Sequence, residues 1–245
     1  MARHAGRRFA QPGESLIALA EPKSAASEAF RTLRTNIQFA GLDQPCRTIV
    51  VTSAGPGEGK STSVANFGIV VAQAGARVCV IDSDLRLPSL HRLFGLDNAR
   101  GLTTALVEGV SFAEVAQPTR IPNLSLLPSG PLPPNPAELV GSQRMRDSLQ
   151  AATESFELIL CDSPPVMAVG DAAALAGLCD GVVLVIEAGR TAHHLLRRVV
   201  EQIEAVKGRI LGVLLNRIDP HHDGYYKAYE AYQQYVQVDA GGAQH

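Results

Sequence analysis

Residues 54–61 read Ala-Gly-Pro-Gly-Glu-Gly-Lys-Ser, and the expected fold follows from this stretch. The residues before it, Thr48–Thr52, form an apolar, β-branched run that predicts a buried strand, and Ser63–Ala72 after it predicts a helix. A strand, a glycine-rich turn and a helix that meet at Gly-Lys-Ser make a phosphate-binding loop. The glycines let successive backbone N–H groups turn toward one anion, and the helix N-terminus adds partial positive charge.

Each part of this phosphate loop has an expected role in binding ATP. Lys60 supplies a full positive charge to the β- and γ-phosphates, and the Ser61 hydroxyl can ligate Mg²⁺. Ala54 stands where the usual pattern has its first glycine, which is a turn position rather than a ligand. An incidental glycine-rich turn is the alternative, but the flanking strand and helix argue against it. The predicted nucleotide-binding residues of the loop are Gly55, Pro56, Gly57, Glu58, Gly59, Lys60, Ser61 and Thr62.

Composition limits the classes of protein that this chain can be. Its 245 residues, 46% of them hydrophobic, suit one α/β domain with tails. A net charge of −2 creates no overall field that attracts nucleic acid, so we expect no nucleic-acid partner. No apolar run approaches the ~18 residues of a membrane span, and we expect a cytosolic protein. Of the four cysteines, Cys79 and Cys161 lie in apolar strands and are interpreted as core residues.

Strands and helices alternate along the chain. Most strands are continuous Val/Ile/Leu runs, which predicts a doubly wound α/β fold with a mostly parallel sheet and ligands beyond the carboxyl ends of its strands. The predicted strands lie near 47–52, 77–82, 124–127, 156–161, 181–187 and 209–215. The predicted helices lie near 24–39, 60–74, 88–94, 101–107, 136–152, 170–178 and 191–206. We expect residues 1–24 to be irregular, residues 128–136 to be a rigid proline-rich surface connection and the last nine residues to be disordered.

Two further strands end in carboxylates. One runs into Asp82-Ser83-Asp84-Leu85-Arg86, and the other runs into Asp162-Ser163-Pro164-Pro165. Asp162 is interpreted as a residue that supports Mg²⁺ without binding it directly, either through a bridging water or by a contact with one of the metal ligands. Asp82 and Asp84 are interpreted as an acidic pair near the γ-phosphate that can accept a proton or hold the metal. A lone strand-end aspartate is more often a helix cap, but three agreeing strand ends favour a site.

Asn216 follows the last predicted strand. Its amide could hydrogen-bond the amino group and a ring nitrogen of adenine, and a turn-forming asparagine is the alternative. The helix near 24–39 carries a polar stripe three residues apart, Glu28, Arg31 and Arg34. Such a stripe is either a subunit contact or a solvated face.

All five tyrosines of the chain fall within eleven residues: Tyr225, Tyr226, Tyr229, Tyr232 and Tyr235. One interpretation is an amphipathic helix that packs through these rings. The other is a cluster of phosphoacceptors on a flexible tail. Because each phosphate adds about −1.5 to −2 charge, such a tail would act as a switch.

The chain resembles the bacterial protein-tyrosine kinases of capsule and exopolysaccharide export. The resemblance rests on four motifs in this order: the phosphate loop, the motifs at 82–86 and 162–165, and the tyrosine-rich end. The segment 27–39 resembles the one that helps this family assemble into a ring. The resemblance covers about residues 24–236. The related partition and division-site ATPases usually have a lysine where this chain has Gly55, and they lack a tyrosine tail. The departures, Ala54 for glycine and Cys161 for an aliphatic residue, do not touch the chemistry.

The resemblance implies an ATP- and Mg²⁺-dependent tyrosine autokinase, with weak ATPase activity, that regulates polysaccharide polymerisation and export. Lys60, Asp82 and Asp84 would be catalytic, with Asp82 as general base. Ser61, Asp84 and Asp162 would hold the metal. The stripe on the 24–39 helix, Glu28, Arg31 and Arg34, would form the contact through which one subunit offers its tail to the next.

The resemblance also implies an organisation and a set of partners. We expect a flexible leader at 1–23, a kinase domain at 24–223 and a tyrosine-rich tail at 224–245. Its partners would be copies of itself in a ring, a separate membrane-embedded activator or chain-length determinant, and a tyrosine phosphatase. The activator would recruit it to the inner face of the cytoplasmic membrane. The alternative function is a nucleotide-switched assembly ATPase without kinase activity, and a small-molecule P-loop kinase is a weaker third.

Overall fold

A seven-stranded sheet forms the centre of the structure, a computed structural model that describes residues 16–42 and 44–218. The strands are β1 (Thr48–Ser53), β2 (Val78–Asp82), β3 (Gln117–Pro118), β4 (Leu124–Leu127), β5 (Leu158–Asp162), β6 (Gly181–Glu187) and β7 (Ile210–Asn216). Their order across the sheet is β3-β4-β2-β5-β1-β6-β7. Only the β3–β4 pair is antiparallel, so the predicted mostly parallel α/β sheet is confirmed.

Helices cover both faces of the sheet, as a doubly wound fold requires. They are α1 (Ile17–Ala20), α2 (Ala25–Ala40), α3 (Lys60–Gln73), α4 (Leu90–Phe94), α5 (Leu102–Glu108), α6 (Phe112–Val115), α7 (Pro136–Val140), α8 (Gln143–Ala152), α9 (Asp171–Ala176) and α10 (His193–Ala205). Helices α1 to α4 pack in one core cluster with one face of the sheet, and α5 to α10 pack in the other. The continuous apolar strands β1, β2 and β5 are buried along their whole length.

The helix predicted near 24–39 begins and ends close to the expected residues. Ser24 is its N-cap and accepts a hydrogen bond from the Ser27 N–H at 3.2 Å. Phe30 and Ile37 are buried on its apolar side, as predicted. Cys79 and Cys161 are buried free thiols in the core, which confirms their interpretation.

The leader is not irregular throughout, because α1 lies within it. Leu16 and Ala18 are buried, and the Ala18 N–H donates to the Asn66 side chain on α3 at 2.9 Å. The Ser27 hydroxyl donates to the Ile17 and Glu21 carbonyls at 3.2 and 2.7 Å. The expectation of irregular structure over 1–24 is therefore wrong for 17–20, because tertiary contacts fix a turn that carries no periodic signal.

Two further expectations need correction. The single helix predicted over 136–152 is two helices, because Ser142 caps a new helix by accepting from the Met145 N–H at 3.1 Å. The proline-rich connection does not lie at the surface throughout, since its first three residues are buried. Leu102 N–H donates to the Pro128 carbonyl at 2.7 Å, and a Cβ on Gly101 would lie 2.1 Å from that oxygen.

The short elements β3 and α6 were not predicted.

The two ends of the chain lie outside the described residues. The predicted tyrosine cluster at 225–235, most of the leader and the last nine residues all fall there. Among the helices of residues 16–42 and 44–218, none combines the length and apolar character that crossing a bilayer demands.

Candidate active site

The residues that the sequence predicts to bind nucleotide and metal lie at the carboxyl edge of the sheet. The phosphate loop follows β1, and Lys60 is the first residue of α3. Asp82 and Asp162 end the neighbouring strands β2 and β5 and are directly paired in register. Asn216 ends β7. Parallel strands present their carboxyl ends at one edge, and this explains why residues far apart in sequence come together.

Two glycines give the phosphate loop its shape. Gly57 and Gly59 have φ angles of 82° and 92°, the left-handed region that other residues avoid. A Cβ on Gly59 would also lie 2.2 Å from the Asn216 amide nitrogen. Among the described non-glycine residues, positive φ is confined to Asn123, Lys207 and Arg217. The backbone at Ala54 does not have a positive φ angle, so this position does not require a glycine. This agrees with the interpretation of Ala54 as a tolerated departure from the usual pattern.

The Glu58 side chain folds back into the phosphate loop. Its carboxylate accepts hydrogen bonds from the backbone N–H groups of Ala54 and Gly55 at 2.9 and 3.3 Å and from the Thr191 hydroxyl at 2.6 Å. The Asn216 amide donates to the Glu58 carbonyl at 2.8 Å. Asn216 thus lies against the loop, and its role toward adenine stays a prediction. Pro56, Ser61 and Thr62 occupy the loop and the first turn of α3, as predicted.

Lys60 lies between two carboxylates. Its Nζ atom is 3.0 Å from Asp84 Oδ2 and 3.4 Å from Asp162 Oδ1. Burial lowers the pKa of Lys60, but the carboxylates of Asp162 and Asp84 together raise that pKa by more, so it lies above its ordinary value. Lys60 is therefore a firmly charged cation in contact with both acidic motifs.

Asp82 is a completely buried carboxylate with one oxygen engaged and one free. Oδ2 accepts from the N–H groups of Ser89 and Leu90, both at 2.9 Å, at the start of α4. Oδ1 is buried with no hydrogen-bond partner among the described residues. Burial, and then the nearby charge of Asp162, raise the pKa of Asp82 to about 7. The helix-cap interpretation thus applies to Oδ2, and the role of Asp82 as a base stays a prediction.

The acidic residues also fit a hard cation bound together with a nucleotide. Asp162 Oδ2, like Asp82 Oδ1, is buried without a partner in the described part of the chain, and the Ser61 hydroxyl lies 3.3 Å from Lys60 Nζ. Burial raises the pKa of Asp162, against the opposing effect of Lys60. Within residues 16–42 and 44–218, no group of three or more His, Cys, Asp and Glu forms a metal site alone. Mg²⁺ keeps few protein ligands beside phosphate oxygens, so this donor set suits it.

Sequence reasoning missed two residues that support the site. The buried Asp171, the first residue of α9, holds Arg86 through two hydrogen bonds of 2.9 and 3.0 Å. Thr191, two residues before α10, contacts Glu58 as described above. Arg86 stands in the acidic motif at 82–86, which could have drawn attention to it. No local signal identifies Asp171 or Thr191.

The polar stripe of α2 is partly engaged within the chain. Arg31 forms an ion pair with Glu28 and also donates to the Pro22 carbonyl at 2.7 Å. Arg34 has a buried Nε atom without a partner in the described residues. It borders a groove of about 320 Å³ next to Ile37 and Phe67. The contact of this stripe with another subunit stays a prediction.

Comparison with known proteins places these features in a family. A family model described as an AAA domain matches residues 46–215. The tyrosine-protein kinase YwqD of Bacillus subtilis is 41% identical over 223 residues, which cover 90% of this chain and 94% of YwqD. The putative tyrosine-protein kinase EpsB of Ralstonia solanacearum is 36% identical over 227 residues, 92% of this chain and 30% of EpsB.

A solved structure agrees with these relatives. The kinase domain of the Escherichia coli tyrosine kinase ETK is similar with a TM-score of 0.80 at 30% sequence identity, over 88% of this chain and 85% of that one. The relatives and the solved structure are all named as tyrosine kinases. The chain therefore belongs to the family of bacterial tyrosine-protein kinases, which transfer phosphate from ATP to the tyrosines of proteins.

Proposed function

We propose that this kinase phosphorylates its own tyrosine cluster, residues 225–235, in trans within an oligomer, and that it thereby regulates the polymerisation and export of a capsular or exopolysaccharide. The observation that carries the proposal is the convergence of Lys60, Asp84, Asp82 and Asp162 at one edge of the sheet. Phosphoryl transfer asks a protein mainly for positioning and for neutralisation of charge, and these residues supply both.

Lys60 is the residue that exchanges partners when ATP binds. The triphosphate offers it a stronger anion than Asp84 and Asp162, with which it is paired in this structure. Ser61, Asp84 and Asp162 would hold Mg²⁺, which neutralises part of the phosphate charge when bound. The phosphate loop, with Asn216 at its side, holds the nucleotide in register with these groups.

Asp82 is the proposed general base. A free tyrosine hydroxyl has a pKa near 10, so a base must accept its proton during transfer. A pKa of about 7 makes Asp82 a stronger base than an ordinary carboxylate. Its unpartnered Oδ1 is the atom that would accept the proton, while Oδ2 stays fixed by α4.

The proposed partners of the kinase are those that the family resemblance implies. The α2 stripe, Glu28, Arg31 and Arg34, would join copies into a ring. A separate membrane-embedded activator would recruit the kinase to the inner face of the membrane, and a tyrosine phosphatase would reverse the modification. YwqD matches this chain over 94% of its length, whereas EpsB has most of its length outside the match, which leaves room there for further segments.

The test is the intact mass of the purified chain after incubation with Mg-ATP, with and without phosphatase, followed by peptide mapping. We expect additions in ~80 Da steps confined to residues 225–235 and absent from Lys60→Met. If no addition appears while ATP is hydrolysed, the reaction is repeated with the cytosolic segment of a candidate activator. Continued absence would favour the assembly-ATPase alternative for this chain.

A further inference from the structure

Glu58 joins the phosphate loop to two neighbouring strand ends. Its carboxylate is buried, with 7% of the residue exposed, in a loop whose purpose is to bind anions. Three donors satisfy this carboxylate: the N–H groups of Ala54 and Gly55 and the hydroxyl of Thr191. A buried carboxylate is costly unless its oxygens are hydrogen-bonded, so its position depends on these donors.

The Thr191 hydroxyl links the loop to the end of β6. It donates to Glu58 Oε1 at 2.6 Å and accepts from the Glu187 N–H at 3.1 Å. Because Glu187 is the last residue of β6, this hydroxyl connects the end of β6 to the loop. The Asn216 amide makes the second link, from the end of β7 to the Glu58 carbonyl.

These contacts have a consequence for nucleotide binding. If the carboxylate of Glu58 left the N–H groups of Ala54 and Gly55, the loop would lose its internal hydrogen bonds, and a negative charge could approach the phosphates. We infer that Thr191 is a positioning residue for nucleotide binding. Its hydroxyl holds the Glu58 carboxylate inside the loop and so keeps the loop in the conformation that binds phosphate.

The first test replaces the hydroxyl with a methyl group of the same shape, Thr191→Val, in the full chain. The probe is a fluorescent N-methylanthraniloyl derivative of ATP, measured with Mg²⁺. We expect about tenfold weaker binding, because a hydrogen bond to a charged group is lost. The KM for ATP should rise by a similar factor with kcat within about twofold, as expected for the loss of uniform binding. Thr191→Ser should restore the affinity to within about twofold.

Two controls separate positioning from a general effect on folding. Thr103→Val removes another buried threonine hydroxyl, which donates to the Ser129 carbonyl at 2.8 Å, and should leave the nucleotide affinity unchanged. Thermal unfolding of each variant reports on folding. If Thr191→Val does not fold, Thr191→Ala tests the same loss with a smaller side chain.

A double-mutant cycle tests whether Thr191 acts through Glu58. Glu58→Ala removes the carboxylate and its hydrogen bonds from the loop, so its own effect combines two opposing causes. In the Glu58→Ala background the Thr191 hydroxyl has no carboxylate to hold, and Thr191→Val should change the affinity by less than about twofold. Three results would overturn the inference. They are a wild-type nucleotide affinity in Thr191→Val, an equal loss of affinity in Thr191→Val and Thr191→Ser, and additive effects of the two substitutions in the cycle.

Discussion

The buried carboxylate of Asp171 accepts two hydrogen bonds from one edge of the Arg86 guanidinium, at 2.9 Å from Nε and at 3.0 Å from Nη2. This bidentate pair ties the loop after β2 to the first turn of α9. Within that loop, Asp84 Oδ1 accepts from the backbone N–H groups of Arg86 and Leu87 at 3.4 and 3.1 Å. The pair therefore fixes the backbone that aims Asp84 at Lys60.

We expect Asp171→Asn to destabilise the protein by about 1–2 kcal/mol and to slow phosphoryl transfer at saturating ATP. A charge-assisted pair is lost, and the partial exposure of Arg86 moderates the cost. Urea denaturation and initial transfer rates measure the two effects. Arg100→Lys is the control, because it alters the exposed pair with Glu108 and should cost less than about 0.5 kcal/mol. Equal effects of both variants would contradict a special role for Asp171.

Lys60→Met should reduce nucleotide-dependent tyrosine labelling by about 100-fold or more, because the charge that neutralises the phosphates is lost. The measurement is the incorporation of labelled phosphate from ATP. Lys207→Met, at an exposed lysine after α10, serves as the control for loss of one charge. Labelling at the wild-type rate in Lys60→Met would remove Lys60 from the mechanism.

Asp82→Asn should bind ATP with nearly wild-type affinity and yet fail to transfer phosphate. The amide oxygen can still accept from Ser89 and Leu90, but the side chain no longer accepts a proton. Nucleotide titration and phosphotyrosine detection on the same sample separate the two steps. Unchanged transfer would remove Asp82 from the role of base.

The pKa of Asp82 also predicts how stability depends on pH. The folded-state pKa is about 7, above the ordinary value of 3.8, so the fold keeps a proton that the unfolded chain releases between those values. Stability attributable to Asp82 is fully present below about pH 4 and is lost as the pH rises through 7. Without nucleotide or Mg²⁺, Asp82→Asn should exceed the wild type in unfolding free energy by on the order of a few kcal/mol at pH 8.

The same comparison at low pH supplies the control. The advantage of Asp82→Asn should be small near pH 4 and should vanish below the ordinary pKa of 3.8, where the wild-type carboxyl becomes protonated in the unfolded state as well. Denaturant unfolding at several pH values measures it. An advantage that stays constant from pH 4 to pH 8 would show that the charge of Asp82 is not its cause.

The double variant Arg31→Ala/Arg34→Ala should form a smaller assembly than the wild type in light scattering. Arg31 also pairs with Glu28 inside the chain, but a partly exposed pair of this kind contributes only ~0–1 kcal/mol, so folding should survive. Arg146→Ala, at an exposed arginine of α8, is the matched control. If the size of the oligomer does not change, the α2 stripe is a solvated face rather than a subunit contact.

The sequence allowed prediction of those parts of the site that depend on strand ends. Asp82, Asp162 and Asn216 each follow a clear apolar run, and parallel strands bring such positions to one edge. Arg86–Asp171 and Glu58–Thr191 could not be predicted, because the partners are 85 and 133 positions apart and their contact depends on the exact path of loops. Likewise α1 is too short to show periodicity, and its place is set by contact with Asn66 on α3.

The strand order also has a consequence for how the chain folds during its synthesis on the ribosome. β1 ends at Ser53, but its two neighbours, β5 and β6, begin only at Leu158 and Gly181. At a synthesis rate of ~5–20 residues per second, the phosphate loop is synthesised roughly 5–20 seconds before the first of these neighbours. In that interval β1 is an unpaired apolar strand that a chaperone can bind, and the contact of Asn216 with Glu58 in the loop forms only after β7 has been made.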